Sequence, residues 1–213
     1  MNYLAHLYLS GASEELRLGN FLGDFIKGRK YSEFPDEVRK GIMLHRQIDY
    51  FTDHHDTVRK SMSRLRKRYH KYSGVVVDIL YDHYLSVEWK KYSNESLSSF
   101  IRSNYAILIR NYDILPGHVK WQLPIIIGRN TLGTYAQLKG IKDTLRIVSR
   151  HSSLPEESRF AMRVIKNHYE DFRNEFNFFF PDIIEYVAAI FEVELDYYRL
   201  SNPLDKNNGT LIY

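Results

Sequence analysis

The stretch Ser73–Trp89, "SGVVVDILYDHYLSVEW", decides between two folds. Its first half, "VVVDIL", is apolar and rich in β-branched residues, and alone it passes for a strand. Tyr81, Leu85 and Val87 carry the apolar pattern too far for a strand, so the segment is predicted to be a helix. Helical patterning then dominates the chain. The expected fold class is all-α: a single-domain helical bundle over residues 1–200, with a polar, Asn/Gly-containing tail at 201–213 that frays.

Working outward, the prolines at 35, 116, 124, 155, 181 and 203 read as segment boundaries. Gly11 and Ser13 mark a turn, and "SEEL" starts a helix with Ser13 as its cap. From Pro35, Val38, Ile42, His45, Ile48 or Asp49, and Thr52 recur at three- and four-residue steps. Glu95–Arg110, Gly140–Ser149 and Glu156–Phe180 are predicted helical, and Pro181 is expected to open a last helix ending near Tyr198. Residues 113–131 are less regular, with "LPIIIG" a buried helical turn at most.

The 213 residues suffice for one substantial core, and 17 Tyr with 12 Phe supply large buried area. Without cysteine, disulfides, thiolate metal sites and a cysteine nucleophile are excluded. The N-terminus lacks a basic region, and no run approaches the roughly 18 apolar residues of a membrane helix, so a cytoplasmic protein with no membrane partner is expected. The net charge of +4 favours an acidic partner slightly.

A helix turns about 100° per residue, so positions i and i+4 share a face. Four predicted helices each carry a polar pair at that spacing among apolar neighbours: Asn2/His6, Asn20/Asp24, His45/Asp49 (continued by Asp53) and Asp78/Asp82, the last followed by His83. Each pair taken alone has a structural reading. Asp24 serves as a cap or salt-bridge partner, His6 as a hydrogen-bonded core histidine and Asp53 as a cap, while His54 and His55 are solvated. A carboxylate on an apolar face is nevertheless costly to bury unless paired or metal-bound, and helix bundles assemble metal sites from side chains that project inward. Carboxylates with imidazoles and no thiolate suit Mn²⁺ or Mg²⁺, with Fe²⁺ or Zn²⁺ also compatible.

A second feature is "VRKSMSRLRKRYHKY", Val58–Tyr72, with seven Lys/Arg and no acid. Most such runs are solvated helix faces. Its single sign also suits docking of an acidic partner.

Four of these stretches, "MNYLAHLYLS", "GNFLGDFIKG", "GIMLHRQIDYFTD" and "DILYDHYLSVEW", resemble in that order the acyl carrier protein phosphodiesterases. "NHYEDFRNEFNFFFP" is similar too, and the resemblance spans about residues 1 to 190. It implies a helical fold distantly like HD-type phosphohydrolases, a divalent metal that is typically Mn²⁺, and removal of the 4′-phosphopantetheine arm from holo acyl carrier protein. In that setting Asp24, His45, Asp49 and Asp82 are the expected ligands, with Asn20, Asp53 and Asp78 as supports or further ligands. Arg46 is expected to reach a phosphate oxygen or a helix carboxylate, and His6 or His83 to protonate the departing serine. Carrier proteins are acidic, so Arg64, Arg66, Lys67 and Arg68 form the expected docking face. The alternatives are a metal phosphohydrolase acting on a nucleotide or other small phosphodiester, and a non-enzymatic nucleic-acid-binding helical protein. The polar pairs argue against the latter. The oligomeric state is left open.

Overall fold

The computed structural model describes residues 1–195 and 197, and among them there are α-helices and short 3-10 turns but no strand. The helices are α1 Tyr3–Leu9, α2 Glu14–Leu22, α3 Asp36–His54, α4 Asp56–Tyr69, α5 Ser73–Val87, α6 Leu97–Arg110, α7 Gly117–Gly128, α8 Thr131–Thr134, α9 Leu138–His151, α10 Ser158–Asn167 and α11 Tyr169–Phe191. The expected tail at 201–213 and the helix end at Tyr198 lie outside the described residues.

The stretch that looked like a strand is α5, and its environment explains the ambiguity. Val76, Val77 and Ile79–Ser86 are all buried, so α5 is enclosed on every side and shows no polar stripe. Around it, Leu4–Leu9 of α1 and the rings of Phe172, Phe176, Phe179 and Phe180 of α11 join one contiguous apolar cluster. The α2 start follows the sequence reading, with the Ser13 hydroxyl accepting from Leu16 N–H.

Two proline expectations are corrected. Pro181 opens no new helix but lies inside α11. An internal proline costs roughly 3 kcal/mol, and here full burial of Phe179, Phe180, Ile183 and Ile184 on both sides of it holds the helix together. Pro124 likewise lies within α7, which replaces the irregular 113–131 segment. Only Val119 and Leu123 of α7 are buried, while Trp121 is 74% exposed, so its apolar residues do not mark a core face.

One helix crossing positions the candidate site. α2 and α3 touch backbone to backbone at Gly19 and Gly41: a Cβ on Gly19 would lie 2.0 Å from Val38 O, and one on Gly41 would lie 2.5 Å from Leu16 O. One turn further along α2, a Cβ on Gly23 would meet His45 Cγ at 2.2 Å. These glycines let α3 lie against α2 with Asn20 and His45 in contact.

Gly41→Ala is therefore expected to push the two helices apart and destabilise the protein by roughly 1–3 kcal/mol, the usual cost of overpacking. Chemical denaturation checks this, and a neutral effect would show the crossing to be looser than described.

Candidate metal centre

The side chains converge on Asn20, which is fully buried near the end of α2. Its amide oxygen lies 2.8 Å from His6 Nδ1 and 3.2 Å from His45 Nδ1, and its backbone oxygen lies 2.8 Å from His45 Nδ1. Its amide nitrogen donates to the carbonyl of His6 and to Ser10 Oγ, which fixes the amide orientation. Because Asn20 presents oxygens to both rings, each histidine donates from Nδ1. That places a proton on each Nδ1 and turns each Nε2 away from Asn20; His6 Nε2 also lies 3.2 Å from the carbonyl oxygen of Met1.

Both Nε2 atoms face the Asp49 carboxylate, and that of His45 faces Asp24 as well. His6 Nε2 is 3.2 Å from Asp49 Oδ1. His45 Nε2 is 3.2 Å from Asp49 Oδ2 and 3.4 Å from Asp24 Oδ1. The two imidazoles stack, with centroids 4.1 Å apart. Ligand atoms of His6, His45 and Asp49 lie within 4.8 Å of one another, so this group could hold a metal ion. The histidines are buried whereas Asp24 and Asp49 are about half exposed, so imidazoles form the floor and carboxylates the rim.

The electrostatics suit a cation. Burial opposes charge on both rings. For His6 it prevails, helped by the charge of His45, and holds the pKa below the ordinary imidazole value. For His45, hydrogen bonds to Asp24 and Asp49 more than offset burial and lift the pKa to about 9. Burial would raise Asp49 and Asp24, but hydrogen bonding to His45 (and, for Asp49, to His6) holds both carboxyls below the usual range. His45 Nε2 and the carboxylates of Asp24 and Asp49 pair across the position that a cation would take. Two imidazole nitrogens and two carboxylate groups make a donor set for Mn²⁺, Fe²⁺ or Zn²⁺ more than for Mg²⁺.

Other expected site residues lie elsewhere. Asp82 is fully buried, and its oxygens accept from the N–H groups of Leu4 (2.8 Å) and Ala5 (3.1 Å). It caps the start of α1, satisfying donors that a helix end leaves free. Burial raises its pKa to about 7 against those two hydrogen bonds. Asp78 pairs with the α-amino group of Met1 at 3.1 Å, and that group is 3.7 Å from Asp49. Asp53 is exposed, and His55 rather than Asp53 caps α4, accepting from Thr57 N–H. His55 is also not simply solvated, since its Nε2 lies 3.1 Å from Asp182. His83 Nδ1 bonds the carbonyl of Tyr135 and its Nε2 the hydroxyl of Tyr169, so both ring nitrogens are committed outside the cluster. Arg46 donates to the carbonyls of Ile26 (3.1 Å) and Gly28 (2.8 Å) and lies over the Tyr31 ring, so it straps a loop instead of pointing into the cluster.

The expected docking face on α4 is divided. Arg64 makes a bidentate pair with the buried Glu175, 2.8 Å on each side, and Ser61 donates to the same carboxylate. Arg68 lies 3.5 Å from Glu157, while Arg66 and Lys67 are exposed. Tyr3 went unnoticed in the sequence. It sits three residues before His6 on α1, and burial together with the nearby Asp24 carboxylate raises the pKa of its phenol.

The fold and site together define a helical protein with buried imidazoles under a half-exposed carboxylate rim, a group that could hold a metal ion. Comparison with known proteins narrows it: residues 1–183 match the family described as "Acyl carrier protein phosphodiesterase", and the chain belongs to that family. Curated relatives carry the same name. One from Photorhabdus laumondii is 30% identical over 186 residues, covering 87% of this chain and 94% of the relative. One from Yersinia pestis is 28% identical over 185 residues, covering 86% and 96%. No solved structure matches.

Two substitutions separate the cluster from its scaffold. Asn20→Ala should weaken Mn²⁺ binding by roughly 10–100-fold, the usual effect of removing a group that orients metal-binding histidines. Equilibrium dialysis on the folded variant checks this. Asp82→Ala should lower stability by roughly 2–4 kcal/mol, because it strands two buried donors and removes a cap. The folded fraction should still bind Mn²⁺ normally, and a loss of binding there would return Asp82 to the ligand set.

Proposed function

We propose that this chain is a metal-dependent phosphodiesterase that converts holo acyl carrier protein to apo acyl carrier protein and 4′-phosphopantetheine. The observation that carries this reading is the convergence of His6 Nε2, His45 Nε2, Asp24 and Asp49, with both rings oriented by Asn20. Family membership supplies the substrate class. The partner is the acidic carrier protein, and the reaction belongs in the cytoplasm. Among the described residues, no helix is long and apolar enough to cross a membrane.

Mn²⁺ is the favoured ion, and His6, His45 and Asp49, with Asp24 beside them, would hold it. When bound, it supplies a water of lowered pKa and offsets charge on the phosphoryl oxygens. The chain's own residues do the rest. Asn20 accepts from each Nδ1 and so turns each Nε2 toward the carboxylate rim, and neither ring must reorient on loading. The carboxylate rim at Asp24 and Asp49 faces solvent, where a diester can approach. Both imidazoles are buried, so the floor of the cluster is shielded from bulk solvent. In the hydrolysis the bond from phosphorus to the carrier's serine oxygen breaks, the water oxygen bonds to phosphorus, and a proton passes to the serine oxygen. Both nitrogens of His83 are already engaged, which argues against it as the proton donor. Asp53 and Asp78 are best read as surroundings of the site and not as ligands.

Incubation with holo carrier protein and Mn²⁺, followed by mass spectrometry of the carrier, should show loss of the arm. Chelator should stop the reaction and Mn²⁺ should restore it. Asp49→Asn preserves shape but removes a rim charge and should reduce turnover by roughly a hundredfold or more, at the upper end of metal-site effects. Cleavage of nucleotide diesters with no action on holo carrier protein would favour the small-diester alternative.

A further inference from the structure

The expected docking face on α4 is partly occupied by Glu175 and Glu157, whereas exposed cations lie next to the cluster itself. Immediately after Asp24 the chain reads "FIKGRK", and Lys27, Gly28, Arg29 and Lys30 are all exposed. Lys27 is three residues from Asp24, so at most about 11 Å of chain separates them. The loop turns at Gly28, whose φ is +61°. Arg46, the neighbour of His45 on α3, ties it down through the carbonyls of Ile26 and Gly28. One α3 residue therefore belongs to the cluster and the next fixes a cationic loop at its edge. The nearest acids along the chain beyond the loop are Glu33, Asp36 and Glu37. The last two open α3, roughly 13 Å from His45 along the helix axis.

An apolar stripe adjoins the loop. Phe25 lies between Asp24 and the loop, and its ring is 5.5 Å from His118 on α7. Trp121 and Ile125 follow on the same face of α7 and are 74% and 44% exposed. An exposed Trp on the helix that meets Phe25, with three exposed cations following Phe25 in the chain, gives this region the composition of a binding surface: an aromatic anchor and a charged rim.

The substrate's chemistry selects this surface. The reacting phosphorus is bonded directly to a serine oxygen of the carrier, so the carrier's own surface must come to within one side chain of the cluster. We propose that loop 26–30, strapped by Arg46, together with the Trp121 stripe of α7, is the surface on which the acidic carrier protein docks. This rests on the carrier-protein reading above. The cations orient and attract the acidic partner, Trp121 anchors it, and Arg46 is a positioning residue that holds the loop in register with Asp24.

The test is steady-state kinetics on holo carrier protein, with Mn²⁺ present, for the full chain and four variants. Lys27→Glu/Arg29→Glu/Lys30→Glu should raise KM by roughly tenfold or more at low salt, with kcat nearly retained, since rim charges act mainly on association. That loss should shrink in 1 M salt, where the Debye length falls to about 3 Å. Trp121→Ala should raise KM at every salt concentration. Arg46→Ala, which leaves the loop's cations in place, should raise KM more than it lowers kcat. Arg66→Glu/Lys67→Glu on α4 should give the smallest rise. A loop reversal with unchanged KM, or an α4 reversal with the larger effect, overturns the docking proposal alone. A wild-type chain that leaves holo carrier protein intact overturns the functional reading and the docking proposal together.

Discussion

The close crossing of α2 and α3 is the constraint on which the rest depends. A Cβ at Gly19 or Gly41 would overlap the facing backbone, so only glycine allows the approach. Gly41, His45 and Asp49 follow one another at four-residue steps on one face of α3. Gly19 and Gly23 flank Asn20 on α2, and Gly23 admits the His45 ring where any side chain would collide with it. The packing face and the chemical face of α3 are therefore the same face. Distance between these helices is at once a folding variable and a site variable, because widening the crossing would withdraw Asn20 from His45.

Around that crossing the polar groups divide into two tasks. Asn20 orients His6 and His45 so that their Nε2 atoms turn toward the carboxylates of a half-open rim. Asp82 does the opposite work, with both oxygens directed at backbone donors and none at the cluster. It anchors α1, and α1 carries His6. Buried ionisable groups are costly without partners, and each of these has one. Elsewhere the same logic seats Glu175 under Arg64 and Ser61, and Glu88 between Lys91 and Arg173.

Much of this was legible in the chain, and the failures share a cause. Spacing at i and i+4 reveals which residues share a face, so Asn20/Asp24 and His45/Asp49 were identified as pairs and enter the cluster whole. Spacing does not reveal what the face meets. Asp78/Asp82 has the same pattern on α5, yet it meets the start of α1 and the Met1 amino group. Arg46 and Arg64 carried the right charge for phosphate or partner, but nearby carbonyls and Glu175 claim them first. Pro181 was read as a boundary because proline usually is one, and the packing of four aromatic or branched residues around it overrides that local rule. "VVVDIL" reads ambiguously because a helix buried on all sides has no polar face to betray its period.

The most direct measurement is diffraction from crystals grown with Mn²⁺, using data collected at the manganese absorption edge. The account expects an anomalous peak bounded by His6 Nε2, His45 Nε2, Asp24 and Asp49, with Asp82 still bonded to the backbone of Leu4 and Ala5. A peak liganded by Asp82, or a Mn²⁺-saturated crystal with no peak between the two histidines, would contradict it.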